Sequence, residues 1–185
     1  GSVTFSNLDE NLLKIEGTDY VDFKSLAFKG SLKTLIQMNG CKDVNFELCS
    51  MSKSAQNALG ATNTVDCNFT SCHIYQTGTG GISIGTSLTG IGSEVGIAAD
   101  ENLTPQNNII ENCEINYFSR IKATYSPAVQ LAGCGNILRN CKIHDADHYA
   151  IVPGGNDQLI EYNEFTDLLR TADDSGLIYA GYNME

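Results

Sequence analysis

Asp147 and Asp174 stand 27 residues apart, each just before a short apolar segment. The first has His144, Asp145 and His148 around it, and the second has Asp173 beside it. Two of the chain's three histidines fall here, in the densest run of titratable groups in the sequence. Two carboxyl groups brought together share a proton, bind a cation or repel. In glycosidic-bond chemistry one carboxylic acid protonates the leaving oxygen while a carboxylate acts as nucleophile or base. A separation of about 5 Å suits retention, and a wider one suits inversion. The catalytic candidates are therefore Asp174, Asp173, Asp147 and Asp145. The residues expected to meet a sugar are Gln130, Tyr149, Tyr179 and Tyr125, with His144 and His148 alongside. The competing use of the same aspartates is structural. Asp is common at turns because its side chain bonds nearby backbone, and His144 can simply tie a loop.

Such groups need a scaffold that stacks one repeat on the next, and the sequence contains one. Segments 22–28, 45–51, 68–74, 109–115, 137–143 and 159–165 align without gaps. One column holds Phe23, Phe46, Phe69, Ile110, Leu138 and Ile160. Another, five positions on, holds Phe28, Met51, Ile74, Ile115, Ile143 and Phe165. Between them run Leu26, Cys49, Cys72, Cys113, Cys141 and Asn163. Apolar residues alternate with polar ones, as pleated strands require, and the 3.6-residue helical period is missing. The steps between repeats are 23, 23, 41, 28 and 22 residues, so four of five fit one coil of short strands and turns. The long step holds an insertion or an extra coil near 77–105, rich in Gly, Ser and Thr. One coil cannot bury its apolar side alone, but stacked coils share a core. The expected fold is all-β: a right-handed parallel β-helix, a single domain over 1–185 with about seven to eight coils.

A second set of strands aligns as well: 126–131 with 148–153 and 175–180, preceded by Gly80-Gly81-Ile82-Ser83-Ile84. On this alignment Asp147 and Asp174 occupy neighbouring rungs, with backbones roughly 5 Å apart. The outward positions beside the first columns, among them Glu47, Glu111, Arg139 and Glu161, then Glu114, Lys142 and Glu164, read as charge ladders. Glu161 and Glu164 are accordingly assigned to a solvated face.

The net charge of −11 argues against a nucleic-acid backbone as partner, which needs clustered Lys and Arg. It leaves a neutral polysaccharide or oligosaccharide open. No apolar run reaches the length of a membrane span. The seven cysteines include no CxxC pair, so zinc has little support. Cys49, Cys72, Cys113 and Cys141 are expected to form an interior ladder of small hydrophobes. No cofactor is expected; Ca²⁺ at Asp173 and Asp174 is the one metal the acids suggest, without the ligand spacing of a known calcium loop. Gly1-Ser2 resembles a cloning remnant, and the chain stops just after an apolar strand. Both features suggest a piece of a longer solenoid.

The stretch from Pro105 to Asn183 resembles bacterial parallel β-helix proteins related to glycoside hydrolases of fucosidase, xylanase and xylosidase type. The matching runs are Tyr125-Ser126-Pro127-Ala128-Val129, Ile143-His144-Asp145, His148-Tyr149-Ala150-Ile151, Gly155-Asn156-Asp157-Gln158-Leu159-Ile160 and Thr171-Ala172-Asp173-Asp174-Ser175-Gly176-Leu177. The resemblance implies a secreted carbohydrate-active enzyme, extracellular, at the cell surface or periplasmic. It makes Asp173 or Asp174 a catalytic carboxylate and puts Asp145 and His148 next to the substrate. The usual Glu-Thr before the acid pair is here Thr171-Ala172. Two other functions fit the same fold. A polysaccharide lyase would need outward Lys or Arg to neutralise uronates, and these are few. A non-catalytic carbohydrate-binding or structural segment would need only the tyrosine strip.

Overall fold

The computed structural model describes residues 6–85, 103–172 and 175–180. Three six-stranded parallel sheets run along the molecule, and the chain visits them in rotation, one short strand in each per rung. This is a right-handed parallel β-helix, the hand that parallel strand connections almost always take. Six rungs lie within the described residues.

The first sheet holds Leu13–Glu16, Ile36–Asn39, Leu59–Thr62, Ile82–Ile84, Val129–Leu131 and Ile151–Pro153. The second runs from Asp19–Lys24 to Leu159–Glu161, and the third from Ala27–Ser31 to Glu164–Thr166. The registers are those of the sequence columns. Phe23 pairs with Phe46, Phe46 with Phe69, Phe69 with Ile110, Ile110 with Leu138 and Leu138 with Ile160. Phe28, Met51, Ile74, Ile115, Ile143 and Phe165 pair likewise in the third sheet. Because Phe69 pairs directly with Ile110, the 41-residue step is one rung carrying an insertion and not an extra coil. Residues 86–102 of that insertion lie outside the described residues.

Side chains pointing inward form one core. Phe46, Phe69, Ile110, Leu138, Met51, Ile74, Ile115 and Ile143 are fully buried. Phe23, Phe46 and Phe69 stack with ring centroids 4.7 and 5.8 Å apart. Leu26 departs from its column: it is exposed, on the terminal rung, where the cysteines that follow it are buried.

The turn between the second and third sheets is two residues long and repeats on every rung. Its first residue is Ser25, Leu48, Ser71, Asn112, Asn140 or Tyr162, all left-handed with φ of 53–55°. Its second residue points inward on the inner rungs, and there stand the four cysteines, all seven of the chain's cysteines being buried. The thiols serve as acceptors: the Cys72 N–H donates to Cys113 Sγ (3.4 Å) and the Cys113 N–H to Cys141 Sγ (3.4 Å). Asn163 ends the series, its Oδ1 accepting from the Cys141 N–H at 2.9 Å. A parallel amide ladder precedes the second sheet. There Asn108, Asn136 and Gln158 each accept the N–H of the previous rung, from Cys67, Asn108 and Asn136 in turn. Cys67 therefore sits in this second column.

The predicted charge ladders form. Arg139 makes a two-pronged pair with Glu111, at 3.0 and 3.2 Å. Lys142 meets Glu164 at 3.5 Å, and Lys24 meets Glu47 at 3.0 Å. Among the described residues no helix is long and apolar enough to cross a membrane.

Candidate functional site

The outer face of the first sheet carries one column of side chains between the buried ones: Lys14, Gln37, Gly60, Ser83, Gln130 and Val152, each paired with the next. The rung after Val152 adds Tyr179, since Ile178 bridges to Ile151. Toward one end this face is a shallow groove of about 120 Å³ lined by Thr34, Gln37, Asn57, Gly60 and Ser83, all uncharged. Gly60 keeps it open, because a Cβ there would meet the Gln37 carboxamide at 2.8 Å.

At the other end the face turns aromatic. The Tyr149 and Tyr179 rings stack 5.3 Å apart, 17° from parallel. His148 meets the Tyr149 ring edge-on at 3.8 Å, and Tyr125 lies 5.9 Å from His148 and 6.5 Å from Tyr149. The connection preceding Ile151–Pro153 supplies His148 and Tyr149, and the rungs on either side supply Tyr125 and Tyr179. Tyr125 is 69% exposed and Tyr179 37%. Tyr149, roofed by its neighbours, is 3% exposed, and its hydroxyl pKa is pushed up to about 12 by burial and then by Tyr125 and Tyr179. Burial also lowers the His148 pKa, with Lys122 adding to the effect, and its buried Nδ1 has no hydrogen-bond partner among the described residues.

The expectation that Gln130 and Tyr149 would be exposed to a sugar is corrected. Gln130 is 3% exposed, midway along the column between Ser83 and Val152, and Tyr149 is covered by other rings. The solvent-facing aromatic surface is Tyr125 and Tyr179.

Asp145 and Asp147, in the same connection as His148 and Tyr149, are held by a cation that the sequence reading missed. Arg170 Nε donates to Asp147 Oδ1 at 3.3 Å, and its Nη1 lies 3.7 Å from Asp145 Oδ1. Asp145 also takes His144 Nδ1 at 2.8 Å, and His144 Nε2 lies 3.0 Å from Glu114 Oε1. Glu114, His144, Asp145, Arg170 and Asp147 thus form one chain of charge-assisted contacts. Burial disfavours the charged form of His144, but the hydrogen bonds to Asp145 and Glu114 outweigh it and raise its pKa. The hydrogen bond from His144 lowers the pKa of Glu114. His144 thus ends a third-sheet strand, Lys142–His144, and its ring partners are Asp145 and, on the rung before, Glu114 and Asn116. Asp145 is left-handed (φ 54°), as are Lys53, Gln76, Tyr117 and Asp167 at the same turn on other rungs. This is the turn-forming role Asp favours. Asp173 and Asp174 lie outside the described residues. Among those described, no group of three or more His, Cys, Asp or Glu is placed to hold a metal.

Arg170 was findable, because it follows Asp147 by 23 residues, one coil. A search for cations one repeat away from each acid would have paired them.

A family profile described as a right-handed β-helix region matches residues 2–166. The chain belongs to the right-handed β-helix family. The match spans the six second-sheet and six third-sheet strands, from Asp19–Lys24 to Glu164–Thr166, so the stacked columns and the family assignment cover the same residues. Comparison with curated proteins and with solved structures gives no match. Membership in the β-helix family is consistent with carbohydrate-active proteins, and by itself assigns no catalytic residue.

Proposed function

We propose that this β-helix protein binds a glycan along the outer face of its first sheet and acts as a glycoside hydrolase, or as the part of one that carries this face. The observation that carries the reading is Tyr179, stacked on Tyr149 and continuing the outward column of an uncharged polar groove, with an Arg170-held Asp147 in the same connection as Tyr149. Sugar rings present apolar faces to aromatic rings and hydroxyls to amides, and both surfaces are supplied here. From Ser83 to Tyr179 is three rungs, roughly 14 Å, long enough for several sugar units lying along the solenoid axis. Asp147, which accepts a hydrogen bond from a guanidinium, suits a nucleophile or base. The proton donor would then come from Asp173 or Asp174. Substrates of this kind put the protein outside the cytoplasm: extracellular, at the cell surface or in the periplasm.

The test is reducing-end release from a panel of plant and host glycans. Asp147→Asn and Asp174→Asn are each expected to lower turnover by about 10²-fold or more, while Tyr179→Ala weakens glycan binding. Unchanged turnover in both aspartate variants would overturn the assignment. Glycan binding that needs Tyr179, with no turnover by the parent chain, would leave a binding module in its place.

A further inference from the structure

The sugar-binding reading makes no use of the core thiols. Cys49, Cys72, Cys113 and Cys141 stand on four consecutive rungs, each 1–2% exposed. The thiols interact electrostatically along the column, Cys72 with Cys49 and Cys113, and Cys113 with Cys141 as well. Each of the last two sulfurs also accepts the N–H of the cysteine before it, so it is drawn toward its neighbour. Rungs repeat about every 4.8 Å, inside the Cα separation of roughly 4.4–6.8 Å that disulfides span. The other three cysteines have no thiol in their own column. Cys67 stands between Val44 and Asn108, Cys41 lies after the first sheet, and Cys134 faces Asp157.

We propose that this stack is an internal disulfide-forming site, in which a small azo or disulfide oxidant joins neighbouring thiols and full oxidation yields Cys49–Cys72 and Cys113–Cys141. In each step two S–H bonds break and one S–S bond forms. The two protons and two electrons pass to the oxidant, reducing an azo bond to a hydrazine or a disulfide to two thiols. A bridge between Cys72 and Cys113 would strand both ends, so complete oxidation favours the outer pairing. Bridging removes the thiol protons, now shared with carbonyls such as Phe69 O, but leaves sulfur as an acceptor for the rung before.

The experiment is to treat the folded chain with diamide, block remaining thiols with N-ethylmaleimide in denaturant, and map the peptides without reduction. The expected result is a loss of four hydrogens, cross-linked peptides for the two named pairs, and blocker on Cys41, Cys67 and Cys134. The proposal is overturned if all seven cysteines take up blocker at a diamide concentration that bridges the urea-unfolded chain. It is equally overturned if the pairs formed lie outside this column. In Cys113→Ser, the Cys49–Cys72 bridge is expected to persist with Cys141 blocked, and any bridge to Cys141 would refute the stacked route.

Discussion

His144 shows how far one residue's chemistry depends on its partners. Held between Asp145 and Glu114, it meets a carboxylate at each ring nitrogen, an arrangement that favours the charged form. Its folded pKa is raised, so the stability it adds is fully present below its unfolded value of about 6.5 and is lost as pH rises through the folded value. Glu114 moves the other way: its contribution is present above its unfolded value and lost as pH falls through the depressed one. Urea unfolding of the parent chain against His144→Gln is therefore expected to show the largest difference in mildly acidic solution, shrinking toward alkaline pH. A difference that does not vary with pH would contradict this. Asn163 offers a simpler case. It accepts from the Cys141 N–H and donates to Leu138 O at 3.0 Å. Asn163→Ala is expected to destabilise by about 1–3 kcal/mol, since it strands a buried N–H; equilibrium denaturation measures it.

At the scale of elements, the left-handed turn after each second-sheet strand sets the corner of the coil. Asn112 and Asn140 suit that conformation, but Leu48 and Tyr162 do not, and both are well exposed at 60% and 81%. Asn replaces either without disturbing the core. Leu48→Asn and Tyr162→Asn are each expected to raise stability by up to about 1 kcal/mol, seen as a higher melting temperature. Gly155 is the converse. Its φ is +75°, and an added Cβ would collide with the Gly133 carbonyl oxygen of the rung before. Gly155→Ala must push two rungs apart, and a loss of about 2 kcal/mol or more is expected in the same measurement.

The whole molecule is close to one-dimensional, each rung touching only the rungs beside it. Damage should therefore stay local. Phe46 stacks between Phe23 and Phe69 and is fully buried. Phe46→Ala is expected to cost about 3–5 kcal/mol and to speed amide exchange on the rungs of Phe23 and Phe69. The rungs of Leu138 and Ile160 should keep their protection, whereas uniform loss would mean that the solenoid melts as one cooperative unit.

The columns of Phe, Ile and Cys were legible because a stacked solenoid repeats its side-chain environment at each coil, and a repeated environment selects the same residue type. Register, the charge ladders and the alignment of Ile151 with Ile178 follow from that periodicity, whereas only the pairing of Phe69 with Ile110 decides that the long step is an insertion and not an extra coil. What it could not reveal was which outward residues stay in solvent. Gln130 shares the outward column of Ser83 and Tyr179, and Tyr149 stands two residues before the strand Ile151–Pro153, yet both are buried, which packing alone decides. Coil spacing nominates Arg170 for Asp147, but it could not show that Arg170 also reaches Asp145 or that His144 turns toward Glu114. Those contacts join residues about one coil apart at different points on the rung, where side-chain reach rather than strand register determines who meets whom.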